Sequence, residues 1–383
     1  MTHERLEDAD RELAALMARL PVTLDLEESA RKSGALRRAR GVRDGPTLLR
    51  LALAYGVCGL SERATAAWAE AAGVAQLSNI ALRNRLRGAA DWLGSIVGTI
   101  LAGRLSGSPD AAGKRRLRLI DATALCARGS NKTDWRLHMS CRLGVQPRIE
   151  QLVLTDGRGS ESLRRFACDA GEIAVVDRGY AKAGDLDDVM RRGGDFVCRI
   201  GWNAVRLCHA DGTPFDLFAF LNGLAEEATG EISVAVAVGR DATQLRPVRL
   251  VVQRLAQDAA APGERRARRK SSKQSKTVQP KTLRAAGYWM LLTSLEATEF
   301  SAADIVAMYR LRWQIELLFK RLKSLLKLGT LPTKDPDIAR CCIYAKILAA
   351  LLLEEMADIF LDSSPCAEAD QRLFAVAPSA AAA

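Results

Sequence analysis

Four residues in the segment YRLRWQIELLFKRLKSLLK could do chemistry together: Tyr309, Arg312, Glu316 and Lys323. The segment reads as one helix, and at about 100° per residue the offsets between these residues bring all four to one face. Leu311, Ile315, Leu318, Phe319, Leu322, Leu325 and Leu326 fall on the opposite face, which predicts packing on a core. The outer face then carries one carboxylate among cations and a phenol, with Lys320 and Lys327 close by. A lone acid in a cationic stripe suits a metal ion beside a phosphate backbone. The bland alternative is a solvated pair of charges, common on amphipathic helices, so the pattern needs acidic partners elsewhere.

Two candidates exist. Asp121 lies inside a predicted strand between apolar residues, where an acid costs free energy unless it is paired or binds a metal. Asp177 follows the apolar run Ile173-Ala-Val-Val176, at the carboxyl end of a predicted buried strand, where ligand sites of α/β sheets collect. Alone, Asp121 also reads as a turn or capping acid, and Asp177 as a salt-bridge partner of Arg178. Together with Glu316, three carboxylates can hold two divalent ions about 4 Å apart. Oxygen ligands suit Mg²⁺, with Mn²⁺ able to substitute.

The elements that must position these acids are legible. Residues 1–110 read as all-helical. Pro46 opens one helix and Ser61 to Gly73 frames another, with a capping serine and a closing glycine. A further helix begins at Ser78 and carries Arg83, Arg85 and Arg87. The last two helices read equally as a helix-turn-helix or as a bundle with a basic surface. The stretch 106–116 reads as a linker. Strands are predicted at Leu117–Leu125, Trp135–Leu143, Arg148–Thr155 and Ile173–Val176, with helices at Glu161–Ala167 and 182–192. Short strands follow from Phe196 to about Leu295, including Ile232–Val238 and Val248–Gln253. The tract from Arg265 to Lys276 that interrupts them is predicted to be a solvated loop, ordering on DNA. The apolar run Ile343–Leu353 either packs in the core or pairs subunits, and the tail APSAAAA is expected to be disordered.

Composition narrows the function classes. The chain has 383 residues, 48% of them hydrophobic, so real cores are expected. Its net charge of +11 points to a polyanion, nucleic acid before an anionic membrane surface. No apolar run reaches the length of a membrane span. The polar N-terminus MTHERLEDADREL is not a secretory signal, so a cytoplasmic, nucleoid-associated protein is expected. Nine cysteines without a CxxC pair and only three histidines argue against zinc. The cysteines read as small core residues, and catalysis must lean on carboxylates.

Five motifs stand in order between about 115 and 355: Ile120-Asp121-Ala-Thr123, Asp134-Trp-Arg-Leu-His138, Val176-Asp177-Arg-Gly-Tyr180, Trp289-Met-Leu-Leu-Thr293, and the helix with Tyr309, Arg312, Glu316 and Lys323. In this order the chain resembles a DDE transposase of the bacterial insertion-sequence-four group. The resemblance implies an α/β fold: a ribonuclease-H-like mixed sheet with helices, interrupted by a β-rich insertion, beside an all-helical N-terminal DNA-binding domain. The implied boundaries are 1–110 for the helical domain, 115–195 and 296–360 for the catalytic domain, 196–295 for the insertion and 361–383 for the tail. It further implies that Asp121, Asp177 and Glu316 are the catalytic, metal-binding triad. Tyr309, Arg312 and Lys323, with Lys320 and Lys327 nearby, would hold DNA phosphates, and Trp289 would stack on a flipped base. The alternatives for Trp289 are a core aromatic, with Tyr288 competing for the stacking role; Trp313 is expected to pack.

The implied reaction is metal-dependent cut-and-paste transposition. Strands are hydrolysed at terminal inverted repeats of double-stranded DNA, a hairpin forms and reopens, and the freed end attacks target DNA. Pairing two ends implies a homodimer. A ribonuclease-H-like nuclease without joining activity, or an inactive DNA-binding derivative, are the competing readings. The three intact acids speak against the second.

Overall fold

Alternating and continuous apolar runs build one large mixed sheet in a computed structural model, which describes residues 3–106, 115–143, 147–239 and 244–362. The chain begins with α1 (His3–Met17), α2 (Leu26–Lys32), α3 (Gly45–Val57), α4 (Glu62–Ala71) and α5 (Asn79–Ser106). Then come β1 (Arg116–Ala127), β2 (Trp135–Arg142), β3 (Arg148–Asp156), β4 (Glu172–Val176), α6 (Ala183–Arg191) and β5 (Asp195–Arg199). The strand-rich stretch contributes β6 (Leu207–Cys208), α7 (Leu217–Asn222), β7 (Thr229–Val238), β8 (Gln244–Arg254), α8 (Gln257–Lys273), α9 (Pro280–Ala285) and β9 (Tyr288–Thr293). The last elements are α10 (Ala302–Arg310), α11 (Trp313–Leu325), β10 (Thr330–Leu331) and α12 (Pro336–Asp362). Most of the expected linker and nearly all of the tail lie outside the described residues.

The strand order is β3-β2-β1-β4-β5-β9-β8-β7-β6, with β10 pairing the far end of β1. Strands β1 to β3 are antiparallel, while β1, β4 and β5 run parallel. The strands after β5 are antiparallel and continue the same sheet through β9. Strands β1 to β4 start and end close to where alternation and apolar content place them.

Two cores cover the two faces. One joins the N-terminal helices, α10, α11 and α12 to the sheet, with Trp68, Trp92, Leu125 and Met139 inside it. The other lies under α6 and α7 and holds Ile120, Val176, Tyr180 and Phe196. The run Ile343–Leu353 lies mostly in the first core rather than on a subunit-pairing surface, with Leu353 alone largely exposed. Arg104 fixes α5 to α12: it donates to Glu354 Oε2 at 2.8 Å and to the Leu351 carbonyl at 2.8 Å. Ser61 caps α4 by accepting from Ala64 N, and Gly73 ends that helix region with φ of 64°. Six of the described cysteines are buried, and Cys58 is exposed.

Five expectations are corrected. The Arg265–Lys276 tract is largely helical, because α8 runs through Lys273; its alanines, arginines and lysines are strong helix formers, which outweighs their mutual repulsion. The predicted helix Glu161–Ala167 is only a single 3₁₀ turn, Leu163–Arg165. The motif helix is two helices, α10 and α11, joined by a tightened turn in which Arg312 N bonds to the Tyr309 carbonyl and Ile315 N to the Arg312 carbonyl. Finally, Trp313 is 53% exposed rather than packed, and Leu325 is 77% exposed at the end of α11.

Candidate active site

Register brings the first two acids together. Parallel strands β1 and β4 pair Ile120 with Val176, so Asp121 and Asp177 are the next residues on neighbouring strands. Neighbouring strands lie about 4.8 Å apart. Asp177 leaves β4 as the cap of a 3₁₀ turn, Arg178–Tyr180, accepting from Gly179 N at 2.6 Å. Asp121 Oδ1 accepts from Ala122 N at 2.8 Å. Burial pushes the Asp121 carboxyl up to about 6, with Asp177 and Glu161 adding to the rise and the Ala122 N–H and Arg312 opposing it.

The third acid arrives through Arg312. Its guanidinium reaches Asp121 Oδ2 at 3.2 Å and also pairs with Glu316 Oε1, so one cation bridges β1 and α11. Arg312 is 13% exposed and Glu316 55% exposed in their side chains. Burial works against the Arg312 charge, but Tyr309, Asp121 and Glu316 more than offset it and hold the guanidinium firmly protonated. The tightened turn before α11 carries Arg312 at its helical start. A capping box fixes the preceding helix: Asp304 N donates to Ser301 Oγ and Ser301 N to Asp304 Oδ2. Behind α11, the chain returns to β1 through β10, and Lys346 of α12 donates to the Lys327 carbonyl at 2.9 Å.

The cationic residues divide. Lys320 and Lys327 are exposed, and Lys323 is half-buried with its stem against Gly329. Tyr309 is buried, which corrects the expectation of an outward phenol: its ring meets Trp289 edge-on at 6.0 Å and its hydroxyl has no hydrogen-bond partner. Trp289 is half-buried, with Arg199 and Arg310 over its ring at 5.8 and 6.0 Å. Tyr288 is buried and donates to the Leu221 carbonyl, so it is not available to stack on a base. The arginines of α5 are engaged within the protein: Arg83 with Glu62, Arg85 with the Arg38 and Arg40 carbonyls, and Arg87 with Asp335.

Two side chains without an assigned role in the sequence stand at the same place. Glu161 pairs with Arg136 at 2.7 Å and neighbours both Asp121 and Tyr180. Tyr180 is fully buried, its hydroxyl is without a partner, and burial, then Asp121, Glu161 and Asp177, push its pKa up. The turn-rich sequence GRGSES hid Glu161, since nothing in it fixes where a loop acid points.

The donors are carboxylate and hydroxyl oxygens, the chemistry of a hard divalent cation. The depressed acidity of Asp121 and the partnerless, buried hydroxyl of Tyr180 fit such an ion. Among the described residues, no three His, Cys, Asp or Glu side chains are already gathered as a metal cluster. Arg312 is the cation that now links Asp121 to Glu316.

His138, on β2, offers a check of the packing around β1. It is buried, with Nε2 3.1 Å from Thr155 Oγ1 and Nδ1 without a partner. Burial, then Arg165 and Arg136, hold its pKa down to about 4. The unfolded chain takes up this proton near pH 6.5. Stability is therefore complete above about pH 6.5 and falls toward pH 4, by up to about 3 kcal/mol. His138→Gln should flatten that limb of the stability curve in urea titrations; an unchanged limb would contradict the assignment.

Comparison with known proteins gives a consistent set of matches. Residues 113–352 match the transposase DDE domain family. The InsL protein of insertion sequence element IS186A from Escherichia coli strain K12 is 41% identical over 358 residues, covering 92% of this chain and 95% of its own length. The transposase for insertion sequence element IS421 from Escherichia coli is 41% identical over 359 residues, with the same coverage. The transposase for IS231E from Bacillus thuringiensis subsp. finitimus is 25% identical over 197 residues, 48% of this chain and 41% of that protein. No helix among the described residues is long and apolar enough to cross a membrane.

Proposed function

The chain belongs to the DDE transposase family, an enzyme family of DNA transposition, and from that premise we propose that Asp121, Asp177 and Glu316 form its cleavage centre. What supports this is the β1–β4 register, which sets Asp121 and Asp177 next to each other on neighbouring strands, together with the Arg312 guanidinium, which pairs with both Asp121 and Glu316.

These acids would hold two Mg²⁺ ions, or Mn²⁺, which supply Lewis-acid activation of the attacking water or 3′ hydroxyl and stabilise the leaving oxygen. The chain's own residues position the DNA. Arg312 exchanges its carboxylates for a phosphate when the end is seated, and Lys323, Lys320 and Lys327 line the same flank. Tyr309 backs Trp289 with its ring. Trp289 stacks on a base flipped from the duplex; stacking contributes about 1–3 kcal/mol, which offsets part of the unstacking cost. The exposed arginines and lysines of α8 lie along the duplex.

In this reading the helices of residues 1–110 hold DNA beside the catalytic parts 115–195 and 296–360, and 196–295 is the β-rich insertion. Excision runs through a hairpin, two protomers pair the two inverted-repeat ends, and the protein works at the nucleoid. Trp289→Ala then slows hairpin formation at least about tenfold more than first-strand nicking, a 1.4 kcal/mol difference; equal losses would assign Trp289 to packing alone.

Joining separates a transposase from a nuclease. A labelled, pre-cleaved repeat end with a free 3′ hydroxyl is incubated with supercoiled plasmid and Mg²⁺. Joined product supports the reading, whereas nicking without joining supports a nuclease.

A further inference from the structure

Glu161 sits on a loop built to aim it. Asp185, buried on α6, accepts from Ser162 Oγ at 2.7 Å and from Leu163 N at 3.2 Å. Arg165 donates to the Ser160 carbonyl at 3.0 Å, and Lys182 donates to the Glu161 carbonyl and to Ser160 Oγ. The backbone on both sides is thus tied down, while the carboxylate itself is held by Arg136 at 2.7 Å. Its other oxygen lies against Gly179: a Cβ there would stand 1.6 Å from Glu161 Oε2 and 3.4 Å from Asp177 Oδ1. The missing side chain of Gly179 is what lets the two carboxylates face each other. On the residue after Gly179, the Tyr180 hydroxyl is fully buried and without a partner.

Two of the acids rest on arginines, Asp121 on Arg312 and Glu161 on Arg136, while the buried Tyr180 hydroxyl has no partner, a polar cost that a bound cation would offset. We propose that Glu161 is a fourth acidic residue of the centre, which turns from Arg136 to help hold a divalent cation on the Asp177 side. The proposal rests on the cleavage-centre reading. Arg136 is then a resting counter-ion for Glu161, as Arg312 is for Asp121 and Glu316.

The test is Mn²⁺ binding to the full chain without DNA, followed by the loss of the free-Mn²⁺ electron paramagnetic resonance signal. Glu161→Gln should weaken binding by about 10- to 100-fold, Asp177→Asn should weaken it comparably, and Glu161→Asp should recover part of the affinity. Arg136→Gln frees Glu161 and should leave binding equal or tighter. Circular dichroism melting checks that each variant folds. Wild-type affinity in Glu161→Gln alongside loss in Asp177→Asn overturns the proposal and leaves the triad standing. Loss in Arg136→Gln equal to that in Glu161→Gln also overturns it, by making the pair a structural salt bridge. Wild-type affinity in Asp177→Asn overturns the centre itself and the proposal with it.

Discussion

Asp121→Asn or Asp177→Asn lowers single-turnover cleavage of a DNA end by at least about 10³-fold, because Lewis-acid stabilisation is worth several kcal/mol and each 1.36 kcal/mol is tenfold in rate. Folding should survive. Burial already drives the Asp121 carboxyl up to about 6, so a neutral side chain of the same shape relieves a cost rather than adding one. Asp177→Asn keeps an oxygen for Gly179 N, which now bonds to Asp177 at 2.6 Å. DNA-end binding should also survive, since phosphate contacts fall to Arg312 and the lysines of α11 and its C-terminal turn. Rates and binding measured side by side decide the matter: cleavage within tenfold of wild type in either variant would remove that acid from the centre.

The second large effect is on stability. Arg118 lies three residues before Asp121 on β1 and is nearly inaccessible to solvent. All five of its N–H donors are placed: two on Ser140 Oγ, and one each on Gln151, the Ala167 carbonyl and Glu172. It thereby ties β1 to β2, β3, β4 and the loop before β4. Arg118→Met keeps the bulk but takes the cation from Glu172, a carboxylate with 13% exposure, leaving it the Asp169 N–H. Removing one partner of such a buried pair costs about 3–5 kcal/mol. The urea midpoint should fall accordingly, with the β1–β4 register and cleavage failing at lower denaturant than the helical signal of the N-terminal region. A loss below about 1 kcal/mol would show that the network contributes little.

Much of this arrangement is written locally. The apolar run Ile173–Val176, bounded by Gly171 and Asp177, announces a buried strand, and β4 stands there with Asp177 just beyond it. Asp121 amid Leu119, Ile120 and Leu125 is legible as a buried acid for the same reason. What the sequence hides depends on contacts far along the chain. No glycine or proline marks the turn between α10 and α11; Leu311 and Arg312 tighten there while Tyr309 packs under Trp289 and Arg312 reaches Asp121, 191 residues away in sequence. Periodicity assigned Leu325 to the buried face, but the helix ends there and the chain turns, with Lys327 at φ of 51°. Charge density suggested a loop at 265–276, whereas helix propensity prevailed in α8. Glu161 was invisible as a site residue because its position is set by Asp185, Arg165 and Lys182, not by any spacing along the loop.

Glu316 is the acid that α11 contributes beside Asp121, through Arg312, so its removal is the sharpest test of a three-acid centre. The measurement is cleavage, in Mg²⁺, of a labelled duplex carrying the inverted repeat that flanks this gene, by wild type and by Glu316→Ala at matched DNA occupancy. The wild type should cut at the repeat boundary and the variant not above background, with end binding retained. Scission by Glu316→Ala at the wild-type rate would contradict a three-acid centre.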